Sequence, residues 1–231
     1  MNKAPLLTEE ERKLAMQNII AIVKQNLPKY TYKCQKSSSV HGLYPEVENN
    51  EWTSGFWPGL IWLSYENSGD ELFKEVGLIF VQSFKNRIVN QIAVDHHDMG
   101  FLYTPSCVSA YHLTGSAEAK EAALLAADKL ITRFHEKGEF IQAWGLLGDK
   151  DSYRYIIDCL LNLPLLYWAS EVTKNPKYRE IALKHTATCL KNSFREDFST
   201  YHTFFMNAED GSPVRGETCQ GYKADSSWAR G

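Results

Sequence analysis

The stretch YENSGDELFKEVG (65–77) ends one helical pattern and begins another within a few residues, and the chain does this twice more, in YHLTGSAEAKEAA (111–123) and EVTKNPKYREIA (171–182). Gly69 and Gly115 suit the left-handed residue that ends a helix. Asp70, Ser116 and Asn175 are side chains that cap the next one, the last followed by Pro176 at the first helical position. Three turns with one logic describe tight αα-hairpins and a weak internal repeat.

Outward from these turns the apolar residues keep helical spacing, and sustained alternation of the kind a sheet needs is nearly absent. The spacing predicts an all-α chain with helices near 8–27, 54–67, 70–90, 100–113, 116–137, 156–172 and 176–195, and the start of another near 226. Connections into alternate helices are longer and carry unusual residues: NNEWTSGFWPG (49–59), DHHDMGF (95–101), YIIDCLLN (155–162) and CQGYKADSSWARG (219–231). If the hairpins pack side by side into a ring with every second helix inside, these four segments meet at one mouth, the default geometry of a binding site.

Composition excludes some functions. With 25 Lys plus Arg against 28 Asp plus Glu in 231 residues, the net charge of −3 gives no general attraction to nucleic acid or to an anionic membrane. No apolar run has the roughly 18–20 residues of a membrane span, and the N-terminal segment lacks a secretory signal, so a cytoplasmic protein is expected. The five cysteines (Cys34, Cys107, Cys159, Cys189, Cys219) are scattered and form no C-x-x-C pair. That argues for reduced thiols rather than a disulfide framework or zinc knuckle.

Two acids stand out. Asp158 lies among Ile156, Ile157, Cys159, Leu160 and Leu161, where lost hydration would raise its pKa toward that of a general acid working near neutrality. It also reads as a helix cap, and a helix N-terminus would oppose that shift. Asp98, in HHDMGF (96–101), is the second acid; two carboxylates in one cleft push their pKa values apart, which suits acid/base work on a glycosidic linkage. It too reads as a cap, with His96 and His97 as solvated loop residues. A metal site from His96, His97 and Asp98 ranks lowest, because adjacent histidines point different ways and no metal-binding spacing is present. Trp52 is the candidate exposed ring for stacking on a sugar. His202, Gln220 and Tyr222 supply hydrogen-bonding groups, Trp228 a further ring, and Arg230 a cation shaped for a carboxylate or sulfate.

Taken in order, WTSGFWPG, HHDMGF, IIDCLLNLPLLYWA, HTFF and DSSWARG resemble the unsaturated glucuronyl hydrolases, glycoside hydrolase family 88, over nearly the whole chain. The resemblance implies an (α/α)6 barrel of six hairpins and cofactor-free hydrolysis, without metal, of the oligosaccharides left by polysaccharide lyases, whose terminal residue is a 4,5-unsaturated uronic acid. An acid protonates C4, water adds at C5, and the hemiketal opens to expel the neighbouring sugar. It further implies Asp158 as general acid/base and Asp98 as the second acid. Trp52 would stack on the sugar, His202, Gln220 and Arg230 would hold the uronate or the water, and Trp228 would wall the pocket. Family members are longer, so 1–231 is expected to be a single partial catalytic domain of seven helices and a stub, with an apolar edge left uncovered. Glycosaminoglycan fragments are the expected substrates. Hydrolysis of unsaturated rhamnogalacturonyl pectin fragments and a non-catalytic helical-repeat binding module are the competing readings.

Overall fold

A computed structural model describes residues 7–226. The expected helical hairpins are present: α1 (Glu9–Tyr30), α2 (Phe56–Ser68), α3 (Glu71–Val89), α4 (Met99–Tyr103), α5 (Ser109–Thr114), α6 (Ala117–Ile131), α7 (Pro164–Thr173) and α8 (Pro176–Asn192). A π turn, Thr104–Val108, joins α4 to α5, so these two form one rod and the described chain has seven helical rods. Pro105 lacks the N–H that a regular helix would need inside that rod, which is where the wider turn falls.

The three repeat turns are built as read. Gly69 and Gly115 take left-handed backbone angles, and Asp70, Ser116 and Asn175 each accept a backbone N–H from the first turn of the following helix. In the third turn the left-handed residue is Lys174. Hairpins α2–α3, α4/α5–α6 and α7–α8 pack in chain order, with α3 against α6 and α4 against both α6 and α7. An alanine face on α6 (Ala119, Ala122, Ala123, Ala126, Ala127), all fully buried, lets neighbouring helices approach closely. Around it lies one core that includes Trp62, Phe73, Phe80, Phe84, Met99 and Tyr103.

Short strands occupy places where helix was expected. The sixth expected helix, 156–172, begins instead as strand β5 (Arg154–Ile156) and a 3₁₀ turn (Ile157–Asn162), and α7 starts only at Pro164. β5 pairs antiparallel with β6 (Thr203–Met206), which pairs with β7 (Pro213–Glu217). The helix expected over 116–137 stops at Ile131, after which β3 (Phe134–His135) and β4 (Phe140–Ile141) form a small hairpin. A further pair, β1 (Cys34–Gln35) and β2 (Glu46–Val47), follows α1. The helix expected near 226, with Trp228 and Arg230, lies outside the described residues. Ile19, Ile22, Leu60 and Leu63 are exposed on α1 and α2. Among the described residues no helix is long and apolar enough to cross a membrane.

Candidate active site

Two close approaches bring the site together. Gly100, in the first turn of α4, lies against the backbone of Asn162, with no room for a Cβ: one built there would sit 2.2 Å from the Asn162 Cα. The Phe101 N–H donates to Asn162 Oδ1 at 2.9 Å across this contact. Gly55 lies as closely against the Phe101 and Leu102 carbonyls. The segment carrying Trp52, the helix start carrying Asp98 and the turn carrying Asp158 are thereby pressed into one cluster.

The sheet adds the next wall. Because β5 and β6 pair Ile156 with Thr203, the ladder runs on to the Ile157 N–H, which donates to the His202 carbonyl at 2.9 Å. His202 therefore stands beside Asp158. The resulting cavity, about 250 Å³, is lined by Trp52, His97, Asp98, Trp144, Ile156, Asp158, His202 and Gln220. That is below the roughly 300–1,000 Å³ usual for drug-sized ligands and suits a single sugar ring. A larger cavity of about 600 Å³ lies between α1 and α2, but its lining, including Ile22, Tyr30, Tyr44 and Trp57, has no pair of acids. Chemistry, rather than volume, selects the smaller one.

Five predicted residues (Trp52, Asp98, Asp158, His202 and Gln220) meet in this cavity. Tyr222 is exposed and does not line it. Two lining residues were missed. His97, expected either as a solvated loop residue or as a ligand of the low-ranked metal site, is 2% exposed; its backbone N–H donates to the Ala143 carbonyl at 2.8 Å. Trp144 stands edge-on to the His97 ring at 6.5 Å, and its surrounding sequence offers no motif.

Neither acid serves as a side-chain cap. Asp98 occupies the cap position of α4 but caps nothing; its Oδ2 lies 3.0 Å from His96 Nδ1 and its Oδ1 3.3 Å from His97 Nε2. The adjacent histidines thus flank one carboxylate from two sides. Asp158 lies inside the 3₁₀ turn, ahead of α7, and its buried Oδ1 has no hydrogen-bond partner among the described residues, with His97 Nε2 3.8 Å away.

The environments push the two pKa values apart. Burial raises that of Asp158, the negative charge of Asp98 adds to the rise, and His97 and His202 oppose it without reversing it. Burial acts on Asp98 in the same direction but is outweighed by His97, by the His96 hydrogen bond and by the positive charge of Arg87, so Asp98 falls below the usual carboxylate range. Complete burial lowers the His97 pKa despite both carboxylates. Its Nε2, 3.3 Å from Asp98 Oδ1, faces that carboxylate as a donor. His202 Nδ1 accepts from the Cys219 N–H at 3.0 Å, which leaves the ring proton on Nε2. In a carboxyl-carbon NMR titration, Asp98 is expected to ionise below the ordinary aspartate range and Asp158 above it; the reverse order would contradict this account.

One nitrogen of His97 and one oxygen each of Asp98 and Asp158 lie within 4.8 Å of one another, a set that could hold a cation. The raised pKa of Asp158 favours a proton on its carboxyl group instead. A second trio, Cys159, His185 and Cys189, is buried behind the turn. There His185 Nδ1 accepts from the Ile141 N–H at 3.2 Å, so the ring proton sits on Nε2 and neither nitrogen offers a free lone pair.

A stack of helical hairpins that sets two acids of opposed pKa shift beside two indole rings, Trp52 and Trp144, defines the class: a helical-hairpin protein of the α/α-barrel type. The chain belongs to Glycosyl Hydrolase Family 88, whose profile matches residues 24–231. It is 47% identical over 229 residues to an unsaturated chondroitin disaccharide hydrolase of Streptococcus pneumoniae, covering 99% of this chain and 58% of that protein. The crystal structure of unsaturated glucuronyl hydrolase from Streptococcus agalactiae superposes with a TM-score of 0.95 at 46% identity, over 98% of this chain and 57% of that one. A mutant of the same hydrolase complexed with dGlcA-GalNAc6S matches with a TM-score of 0.82 at 39% identity, over 98% of this chain and 55% of that one. The chain thus spans a little over half the length of these relatives.

Proposed function

We propose that this chain carries the acid pair and first sugar subsite of a hydrolase that releases 4,5-unsaturated glucuronic acid from lyase-generated glycosaminoglycan disaccharides. The observation that carries the reading is a carboxyl group, Asp158, that burial holds toward its protonated form beside a second carboxylate, Asp98, held ionised. Protonation of an uncharged vinyl ether needs that division. Asp158 delivers its proton to C4 of the unsaturated ring, and the positive charge that develops at C5 and the ring oxygen is stabilised by ionised Asp98 nearby. The carboxylate left on Asp158 then takes a proton from the water that adds at C5, which restores the acid. The hemiketal so formed opens and expels the adjoining sugar.

The surrounding groups have supporting tasks. His202, with its proton on Nε2, and Gln220 donate to the uronate or orient the water, with Arg230 as the cation for the uronate carboxylate. Trp52, 45% exposed and edge-on to Phe101, offers a ring face to the sugar, with Trp228 a further wall. The names of the relatives favour chondroitin-type disaccharides as substrates, and the dGlcA-GalNAc6S complex of the Streptococcus agalactiae mutant favours an amino sugar next in line. Five unbridged cysteines, four of them buried, support a reducing, cytoplasmic setting.

The test is the ultraviolet absorbance of the conjugated C=C in an unsaturated chondroitin disaccharide, which falls on turnover. An absorbance that stays constant with this chain at substrate saturation would overturn the proposal. Trp52→Ala should weaken disaccharide binding by about tenfold, on the scale of one lost aromatic contact, as read by titration calorimetry. Unchanged affinity would remove Trp52 from the subsite.

A further inference from the structure

Two arginines outside the cavity are more deeply buried than any acid in it: Arg87 is 1% exposed and Arg133 is 0% exposed. Both stand seventeen positions after the residue that caps the second helix of a hairpin, Asp70 for α3 and Ser116 for α6. They are the same position in two copies of the repeat, and each turns its guanidinium onto the loops that line the site.

Arg87 donates from Nη1 to Asn49 Oδ1 and the Glu51 carbonyl, both at 3.0 Å, and so grips the segment just before Trp52. From Nε and Nη2 it donates to the carbonyls of Ile92 (3.1 Å) and Ala93 (2.8 Å), in the loop that leads to Asp98. The Ala93 carbonyl also accepts from His96 Nε2 at 2.9 Å, and His96 Nδ1 accepts from the Asp98 backbone N–H at 3.1 Å, so a polar chain runs from Arg87 to the backbone of the acid. This loop is strained: Gln91 and Ala93, neither of them glycine, have φ of 54° and 46°.

Arg133 holds the same loop from its other side, with Nη1 donating to the Asp95 carbonyl (3.2 Å) and Oδ1 (2.9 Å). Its Nε and Nη2 donate to the carbonyls of Gln142 (2.9 Å) and Gly145 (3.0 Å), which bracket Ala143 and Trp144. Ala143 in turn holds the His97 N–H. A planar fork of five donors suits such a task, and a lysine ammonium cannot reproduce it.

We propose that Arg87 and Arg133 are a pair of positioning residues, repeated in the fold, that fix Trp52, the His97–Asp98 pair and Trp144 relative to one another without touching substrate. The catalytic part of this inference rests on the proposed function; the positional part does not. Arg87→Lys and Arg133→Lys keep the charge and lose the fork.

Hydrogen exchange followed by mass spectrometry reads the positions directly in the purified chain. Arg87→Lys should speed exchange in 49–53 and 92–98 and leave 142–146 as in wild type, whereas Arg133→Lys should speed it in 92–98 and 142–146 and spare 49–53. On the unsaturated disaccharide each variant should lose about 10²-fold in turnover through misplacement. Uniformly faster exchange, unchanged exchange, or wild-type turnover in the lysine variants would overturn the proposal. If wild type shows no turnover, the functional reading fails and the exchange pattern alone decides the positional one. Should a lysine variant not fold, Asn49→Ala and Asp95→Ala keep both arginines and remove one acceptor from each. Faster exchange confined to 49–53 in the first and to 92–98 in the second supports the pair, and no local change overturns it.

Discussion

Asp158→Asn is expected to lower turnover of a lyase-generated unsaturated disaccharide by about 10³-fold, the scale of losing a positioned general acid, while leaving disaccharide affinity close to wild type. An amide has nearly the shape of the carboxyl group but cannot deliver its proton to carbon. The same variant should melt higher at neutral pH. The sign follows from linkage: a carboxyl whose folded pKa lies above its unfolded one favours folding only while protonated, and that contribution is lost as pH rises through the folded value. At neutral pH folding must either keep a charge in this half-buried site or take up a proton that the unfolded carboxyl has lost, a cost that asparagine removes, and the difference in melting temperature should shrink toward pH 3. Stopped-assay absorbance and calorimetric melts at two pH values check both halves. Wild-type turnover would remove Asp158 as the acid, and a lower melting temperature would mean that its carboxyl group is needed for packing.

Local chemistry made most of the fold legible. Asp70, Ser116 and Asn175 fixed the hairpin turns because a cap is written in three or four adjacent residues. What escaped depends on distant pairing. The apolar run from Tyr155 to Leu166 is consistent with either a buried strand or a helix on periodicity alone; β6, some fifty residues later, takes its first residues as a strand. Of the site, Trp52, Asp98, Asp158 and Gln220 were legible from unusual residues at the ends of alternate helices, and His202 from the motif HTFF that carries the family resemblance. His97 was not, because adjacent histidines in a polar loop look solvated. Its burial comes from the Ala143 carbonyl that holds its backbone and the Trp144 ring beside it, contributed by a segment that carries no signal of its own. Arg87 and Arg133 look like surface arginines on helix ends until the loops that they hold are in place.

Gly100→Ala tests whether close packing is what brings the acids together. The added Cβ would lie 2.2 Å from the Cα and 2.4 Å from the carbonyl oxygen of Asn162, and both neighbours are backbone atoms that cannot swing aside. Either α4 or the 3₁₀ turn must move, and the bond from the Phe101 N–H to Asn162 Oδ1 stretches or breaks. A cost of about 3 kcal/mol is expected, the upper end of overpacking penalties, which for a chain of this size lowers the melting temperature by about 10 °C. Asn162→Ala serves as the comparison, because it removes the same hydrogen bond without adding an atom and should cost about 1 kcal/mol. The catalytic consequence is separate from the stability one. Asp98 contributes to the raised pKa of Asp158 through its charge, and Coulomb repulsion weakens with distance. Moving α4 off the turn should therefore lower the Asp158 pKa and shift the alkaline limb of activity to lower pH, whereas Asn162→Ala should leave that limb nearly where it is. A Gly100→Ala variant with wild-type melting and an unmoved limb would show that α4 and the turn do not need this contact to hold the two acids in register.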